Sequence, residues 1–234
     1  MPGVRLTDAA GDLLLGARCA GCERPAFGLC AGCAQRLRTL RPQEVVRPVP
    51  GFPATMAAGR YRDELRRVLL AAKERQALTQ LPLLGRLLAR AVARLVLRDG
   101  PGLPILLVPV PSVRQRVIER GVDLTAELAR GAGRELRRRG LPVRVVRGVR
   151  LARNPDDQAG LGRADRLANS QGVYRCQPRL PPGSVIVVDD VVTTGATLAA
   201  VAAALSAAGR PPAGAAAVAQ TPRSGGPETP ASLL

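Results

Sequence analysis

The most informative segment of the chain is residues 185–197, which read Val-Ile-Val-Val-Asp-Asp-Val-Val-Thr-Thr-Gly-Ala-Thr. Its first four residues are β-branched, and such a run predicts a strand that is apolar on both faces, as in a parallel sheet covered by helices. Asp189 and Asp190 mark the predicted end of this strand. Ligands of open parallel sheets bind beyond that end, so the sequence predicts a site here.

The turn after the two carboxylates has the composition of an anion site. Residues 193–197 combine three threonine hydroxyls with Gly195, which lets backbone N–H groups approach a ligand where an alanine-rich helix begins. Carboxylates for sugar hydroxyls beside N–H groups for a phosphate predict a sugar phosphate as the ligand. The alternative is an ordinary buried strand that aspartates end and threonines follow as helix caps, but it leaves the paired carboxylates unexplained.

The rest of the chain alternates between strands and helices. Apolar residues recur at helical spacing in three segments, 62–75, 83–97 and about 123–139. Short apolar strands are predicted at 105–110, 143–149 and 214–219. This alternation predicts an α/β domain with a parallel sheet flanked by helices. With 234 residues, 46% of them hydrophobic, the chain has room for one such domain and a small appendage.

Proline-rich residues 41–53 indicate a linker or an extended entry strand between the appendage and the main domain. We predict a metal-binding ribbon and linker at 1–43 and the α/β domain at 44–220. Residues 221–234 are rich in Pro, Gly and Ser and predict a disordered tail.

The appendage contains a doubled Cys-x-x-Cys pattern. Cys19 and Cys22 are followed, after seven residues, by Cys30 and Cys33. Four thiolates suit a tetrahedral zinc ion that leaves no open position for catalysis, so we predict a structural zinc ribbon. Iron in a rubredoxin-like site and a pair of disulfides are the alternatives. The fifth cysteine, Cys176, stands alone and is predicted to be a small core residue.

Basic residues are almost all arginine. Of 35 basic residues one is lysine, Lys73, and the formal net charge is +17, which favours polyanionic partners. Because GC-rich coding inflates arginine, the surviving lysine is a candidate for a chemical role; the alternative is a chance survivor on a solvated helix face. The chain contains no histidine, which excludes histidine acid–base catalysis and a Cys₂His₂ metal site.

The sequence shows no apolar run long enough to span a bilayer and no signal region followed by a cleavage site. We therefore predict a cytoplasmic protein without membrane insertion. Disulfides are rare in that compartment, which favours the metal site over a disulfide framework.

Taken in order along the chain, these features resemble the ComF-type competence family, also called the GntX group, in which a zinc ribbon precedes a phosphoribosyltransferase-like domain. The resemblance covers nearly the whole chain. It rests on the four cysteines, Tyr61, residues 73–75, residues 108–112, Arg116, Arg120, Gly121, Gln158, Leu161, Arg166, Asn169, Tyr174 and residues 189–197. One departure lies at residues 122–124, which read Val-Asp-Leu where the family usually has Phe-Asn-Gln.

The resemblance implies a type I phosphoribosyltransferase fold that binds phosphoribosyl pyrophosphate (PRPP) with Mg²⁺. The implied PRPP loop consists of Val191, Val192, Thr193, Thr194, Gly195, Ala196 and Thr197. In the implied pyrophosphate loop the candidate donors are Ser112, Arg114 and Arg116, although the arginines are equally explained as solvated side chains. A base for the transfer is Asp189, Asp190 or Lys73, and nothing in the sequence selects one.

Residues 153–163 are polar and contain glycine, as expected of a mobile active-site lid or of an inert long loop. Gln158, Arg166 and Asn169 are the candidates in this region, and their roles do not follow from spacing.

Two classes of function follow from these predictions. The first is an enzyme that transfers a phosphoribosyl group to an acceptor, in DNA uptake or nucleotide metabolism. The second is an accessory protein that senses a ribose phosphate without catalysis, or binds single-stranded DNA through its basic surface beside competence and DNA-processing proteins. Because aromatic residues make up only 2% of the chain, DNA contact would depend on arginines 114, 116, 120, 134 and 137–139 at the phosphate backbone, and would weaken as salt rises.

Overall fold

A six-stranded sheet lies at the centre of the protein. The computed structural model describes residues 18–74, 78–152 and 172–222. The strands of these residues are β1 (Gln43–Val45), β2 (Thr55–Arg60), β3 (Ile105–Pro109), β4 (Val143–Val145), β5 (Val149–Leu151), β6 (Tyr174–Cys176), β7 (Ser184–Val192) and β8 (Gly214–Gln220). The helices are α1 (Ala31–Thr39), α2 (Asp63–Glu74), α3 (Leu81–Asp99), α4 (Arg114–Arg120), α5 (Leu124–Arg138) and α6 (Ala196–Ala207).

The sheet is mostly parallel. Its strand order is β1-β2-β8-β7-β3-β4, and a separate pair is formed by β5 and β6. Only β1, at one edge, runs antiparallel to its neighbour in the larger sheet. The alternating pattern of strands and helices therefore gives the parallel sheet that the sequence predicted.

Helices cover both faces of the sheet, because successive strand side chains point to opposite sides. On one face α2, α3 and α5 pack on side chains such as Leu107 and Ile186. On the other face α6 packs on Leu106 and Val187. All four residues from Val185 to Val188 are buried, which confirms that this strand is apolar on both sides.

β7 is longer than predicted. It does not end at the two aspartates but continues to Val192, because β8 runs alongside it as far as Gln220. The other neighbour, β3, ends at Pro109 opposite Val188. Asp189 and Asp190 therefore lie inside β7 but beyond the end of β3. This is the side of the sheet where the carboxyl ends of both strands lie.

Two further segments differ from the prediction. Residues 143–149 form two strands in different sheets, because the chain turns between Val146 and Gly148. Within residues 41–53, β1 pairs with β2 as an entry strand. At the other end of the domain, the Thr221 N–H donates to the Val192 carbonyl at 2.9 Å, so hydrogen-bonded chain continues to this residue. The remainder of the predicted tail, from residue 223, lies outside the described residues.

In the part of the chain that the structure describes, no helix combines the length and hydropathy needed to cross a bilayer.

Candidate functional site

The four cysteines of the N-terminal segment converge on one point. Their sulfur atoms all lie within 4.8 Å of one another, and none is in a disulfide. Cys19 Sγ accepts hydrogen bonds from the backbone N–H groups of Gly21 at 3.4 Å and Cys30 at 3.3 Å. The cluster therefore has the donor set and the geometry to hold a metal ion such as zinc.

Arginine side chains also contact the cluster. Arg36 Nη2 lies 3.2 Å from Cys33 Sγ. Burial opposes ionisation of Cys22, but hydrogen bonds from Arg24 outweigh it and lower the pKa of Cys22 to about 6. The cationic side chains would offset part of the negative charge of a metal–tetrathiolate centre.

The cysteine cluster is attached to the main domain through the first turns of α2. Arg67 Nε donates to the carbonyl of Gly21, and Arg36 Nη2 lies 2.7 Å from Glu64 Oε1. A Cβ at position 21 would lie 2.8 Å from Cys33 Sγ. Only glycine therefore fits at this position, next to the cysteine cluster and within reach of Arg67. The same helix carries Lys73 in its last turn.

The paired aspartates form the centre of the second candidate site. Lys73 Nζ lies 2.6 Å from Asp190 Oδ2, with 24% of the lysine side chain and 15% of the aspartate side chain exposed. Asp189 Oδ1 accepts a hydrogen bond from the Asp190 N–H at 2.8 Å. The structure thus brings together the three residues that the sequence offered as candidate bases.

The two carboxylates have different environments. Burial, together with the charge of Asp190, raises the pKa of Asp189 to about 8. Burial and the charge of Asp189 also raise the pKa of Tyr174 to about 12, while a hydrogen bond with Thr197 opposes that rise. Asp189 therefore holds a proton near neutral pH, next to a carboxylate that is paired with a cation, and Tyr174 lies beside it.

The predicted PRPP loop joins β7 to α6 by a tight turn at Gly195, which has φ +91°. A Cβ there would lie 2.8 Å from Cε2 of Phe52 and 3.0 Å from Cγ of Arg47, so the turn needs glycine for its backbone conformation and for space. Thr194 Oγ1 accepts a hydrogen bond from the Ala196 N–H at 3.3 Å. The first amides of α6 have no acceptor inside the helix, which is the requirement for an anion site.

Arg47 fixes this loop in place. Its Nε donates to the Thr193 carbonyl at 2.8 Å, and its Nη2 donates to the Thr221 carbonyl at 2.7 Å. Sequence reasoning missed both Arg47 and Phe52. No local signal could have found them, because their contacts with the loop are distant in sequence. Arg47 and Thr193, for example, are 146 positions apart.

The predicted pyrophosphate loop lies at the same edge of the sheet as the aspartates, since β3 and β7 are parallel neighbours. The Ser112 hydroxyl donates to Asp123 Oδ1 at 2.9 Å, so it already has a protein acceptor. Arg114 and Arg116 are exposed on the short helix α4. Asp123 caps α5 by accepting from the Ala126 N–H at 3.2 Å, which gives a structural role to one position of the 122–124 departure.

The remaining sequence candidates divide between the described and undescribed parts of the chain. Cys176 is partly buried and packs against the core cluster under α6, apart from the four-cysteine cluster. Gln158, Arg166 and Asn169, with the predicted lid at 153–163, lie outside the described residues.

No family model matches this chain, and comparison with curated proteins gives no match either. The functional conclusion therefore depends on the residues of the two sites.

Proposed function

We propose that the protein binds PRPP, or a related ribose phosphate, with Mg²⁺ at residues 189–197, as a ComF-type protein with a type I phosphoribosyltransferase fold. One observation carries this proposal: two carboxylates at the edge of a parallel sheet are followed directly by a glycine turn and the N-terminus of α6. Carboxylates accept hydrogen bonds from vicinal hydroxyls, and the loop amides and threonine hydroxyls donate to a phosphate.

The charges of the site are compatible with a highly anionic ligand. Asp190 is paired with Lys73, and Asp189 is largely protonated below pH 8, so the two carboxyl groups together contribute little net negative charge at neutral pH. Mg²⁺ takes oxygen ligands, and when bound with PRPP it would neutralise part of the pyrophosphate charge. Asp189 and Asp190 are the residues of this chain that offer oxygens to that ion or to the ribose hydroxyls.

As an enzyme, the protein would transfer the phosphoribosyl group to an acceptor nucleophile. The bond from C1 of the ribose to pyrophosphate breaks, its electron pair leaves on pyrophosphate, and the acceptor forms a new bond to C1 and gives up a proton. A carboxyl group accepts that proton only when it is ionised, so Asp189 would act as the base in the fraction of molecules that has lost its proton, which grows as the pH rises towards 8. Lys73 then acts by holding Asp190 in place.

A turnover assay tests this function. Protein, PRPP and Mg²⁺ are incubated with a panel of nucleobases and other nucleophiles while released pyrophosphate is measured. We expect acceptor-dependent release from the wild-type protein and none from Asp189→Asn. Release that is independent of the protein's folded state or of residues 189 and 190 would contradict the proposal.

The second candidate is a non-catalytic protein that senses a ribose phosphate or binds single-stranded DNA in the cytoplasm, next to competence and DNA-processing proteins. It is favoured by the exposed arginines at the C-terminal end of α5, where Arg137, Arg138 and Arg139 follow one another. PRPP binding without pyrophosphate release would support this candidate. For DNA, anisotropy of a labelled oligonucleotide should show binding that falls steeply with salt, with a smaller slope after the three arginines are replaced by Gln.

For the cysteine cluster we propose a structural zinc ion. Residues 23–29 between the two cysteine pairs are too few to form a core, so metal binding would supply much of the folding free energy of this segment.

A further inference from the structure

A charged cavity lies on the face of the sheet that α5 covers. It has a volume of about 490 Å³, and four of its lining residues are arginines: Arg130, Arg134, Arg137 and Arg147. The other lining residues are small or aliphatic and come from β3, β4 and α5. The 189–197 segment leads into α6, which packs on the opposite face, so the sheet separates this cavity from α6.

The arginines converge because of the period of the helix. Arg130, Arg134 and Arg137 are four and three positions apart, so they lie on one face of α5. Arg147 approaches from the chain between β4 and β5. Like charges at this spacing repel one another on a helix, and a bound anion would remove that repulsion.

Contacts within the protein hold some of these side chains but do not neutralise the cavity. Arg137 Nη1 donates to the Val143 carbonyl at 3.0 Å, which fixes the guanidinium without cancelling its charge. Arg130 Nη1 pairs with Glu127 Oε1, and Arg147 Nη2 lies 3.9 Å from Asp123 Oδ2. Arg134 makes no ion pair with any described residue. The four guanidinium groups of the cavity are thus paired with two carboxylates, those of Glu127 and Asp123. The Asp123 carboxylate is at the distance limit of ion pairing.

We propose that this cavity is an anion site for a small molecule that carries two or more phosphate groups, of the diphosphate or polyphosphate class. A guanidinium group can bind two phosphate oxygens at once through two parallel hydrogen bonds. Several guanidinium groups around one cavity can therefore bind several phosphate groups. None of the described residues that line the cavity is aromatic, so the ligand would be recognised by its phosphates and not by stacking of a base. None of residues 189–197 is among the residues that line the cavity.

Calorimetric titration with inorganic pyrophosphate, without added Mg²⁺, tests the proposal on the full-length protein. We expect the wild type to bind, and Arg134→Gln and Arg147→Gln each to weaken binding by about tenfold or more. Arg138→Gln is the matched control, because it removes the same charge from the same helix outside the cavity, with 76% of its side chain exposed, and should leave binding unchanged. Melting curves of all variants establish that they are folded.

Two results would overturn the proposal. If Thr194→Val abolishes pyrophosphate binding and the cavity variants do not weaken it, the anion binds at the 189–197 loop alone. A labelled oligothymidylate forms the second arm of the experiment. If the cavity variants weaken binding of the oligonucleotide but not of pyrophosphate, the arginines belong to a nucleic-acid surface instead of a small-molecule site.

Discussion

Lys73 Nζ lies 2.6 Å from Asp190 Oδ2 and connects the last turn of α2 to the sheet edge of the candidate site. At its other end α2 carries Glu64 and Arg67, which contact the cysteine segment at Arg36 and Gly21. One helix of 12 residues therefore contacts both the proposed metal centre and the proposed ribose-phosphate site.

Replacing Lys73 should weaken both the fold and the site. In Lys73→Met, Asp190 loses its cation while only 15% of its side chain is exposed, so we expect the free energy of unfolding to fall by about 1–3 kcal/mol. PRPP binding should fall as well, because the site at residues 189–197 loses the positive charge beside Asp190. Chemical denaturation and calorimetry measure the two effects.

The double variant Lys73→Met/Asp190→Asn distinguishes a specific pair from a general loss of packing. If the pair matters, the double variant recovers part of the stability lost in Lys73→Met, and the double-mutant cycle gives a coupling energy. Strictly additive losses would show that Lys73 contributes to stability independently of Asp190.

The raised pKa of Asp189 predicts a pH dependence of stability. Between the ordinary value of 3.8 and about 8, the folded protein holds a proton that the unfolded chain releases. The contribution of this group to stability therefore falls as pH rises through that window. Asp189→Asn keeps an acceptor for the Asp190 N–H and removes the titration, so at pH 8 the variant should be more stable than the wild type by on the order of 1–2 kcal/mol.

Near pH 4 the difference between Asp189→Asn and the wild type should shrink towards zero. Asp63→Asn is the matched control, since 68% of the Asp63 side chain is exposed and its replacement should not change the pH profile in this way. A constant difference between pH 4 and pH 8 would contradict a raised pKa at Asp189.

Gly195 should not tolerate a side chain. In Gly195→Ala the new Cβ meets Phe52 at 2.8 Å in a backbone conformation with φ +91°, so we expect a loss of about 1–3 kcal/mol and weaker PRPP binding. Gly140 has φ +82°, and a Cβ added there would meet nothing within 4 Å, so Gly140→Ala reports the backbone strain alone. Equal losses in melting temperature for the two variants would show that Phe52 and Arg47 do not restrict the loop.

Metal removal should unfold the cysteine segment and leave the sheet intact, because the segment lacks a large core and the α/β domain has one. After chelation, hydrogen exchange should accelerate in α1 and in the first turns of α2 and remain slow in β7. Cys30→Ser should reproduce this effect, whereas Cys176→Ser, which changes a thiol outside the cluster, should not. Elemental analysis that finds no metal in fresh, reduced protein would contradict the prediction.

The parts of the fold that were predictable from sequence are those with strong local patterns. The four β-branched residues of β7 and the helical spacing in α2, α3 and α5 identify elements, since burial on a sheet or a helix face imposes a period on the sequence. The spacing of the four cysteines also predicts their convergence, because a single ion fixes the distances between its ligands.

The missed features depend on contacts between distant segments. The turn at Gly148 separates β4 from β5 because each strand pairs with a different partner, and the valines of residues 143–149 do not indicate those partners. Arg47 and Phe52 reach Gly195 from the segment between β1 and β2 through tertiary packing alone. Similarly, the spacing of Arg130, Arg134 and Arg137 could have indicated one helix face, but the approach of Arg147 required the fold.

The central claim is that residues 189–197 bind a ribose phosphate. Its most direct test is a calorimetric titration of the folded, metal-loaded protein with PRPP in the presence of Mg²⁺, with ribose 5-phosphate as a second ligand. We expect saturable binding of one PRPP per chain, which is lost in Asp189→Asn/Asp190→Asn and in Gly195→Leu and is retained in Arg138→Gln. If folded wild-type protein gives no heat with PRPP or with ribose 5-phosphate, or if binding survives in both loop variants, residues 189–197 do not form the ribose-phosphate site.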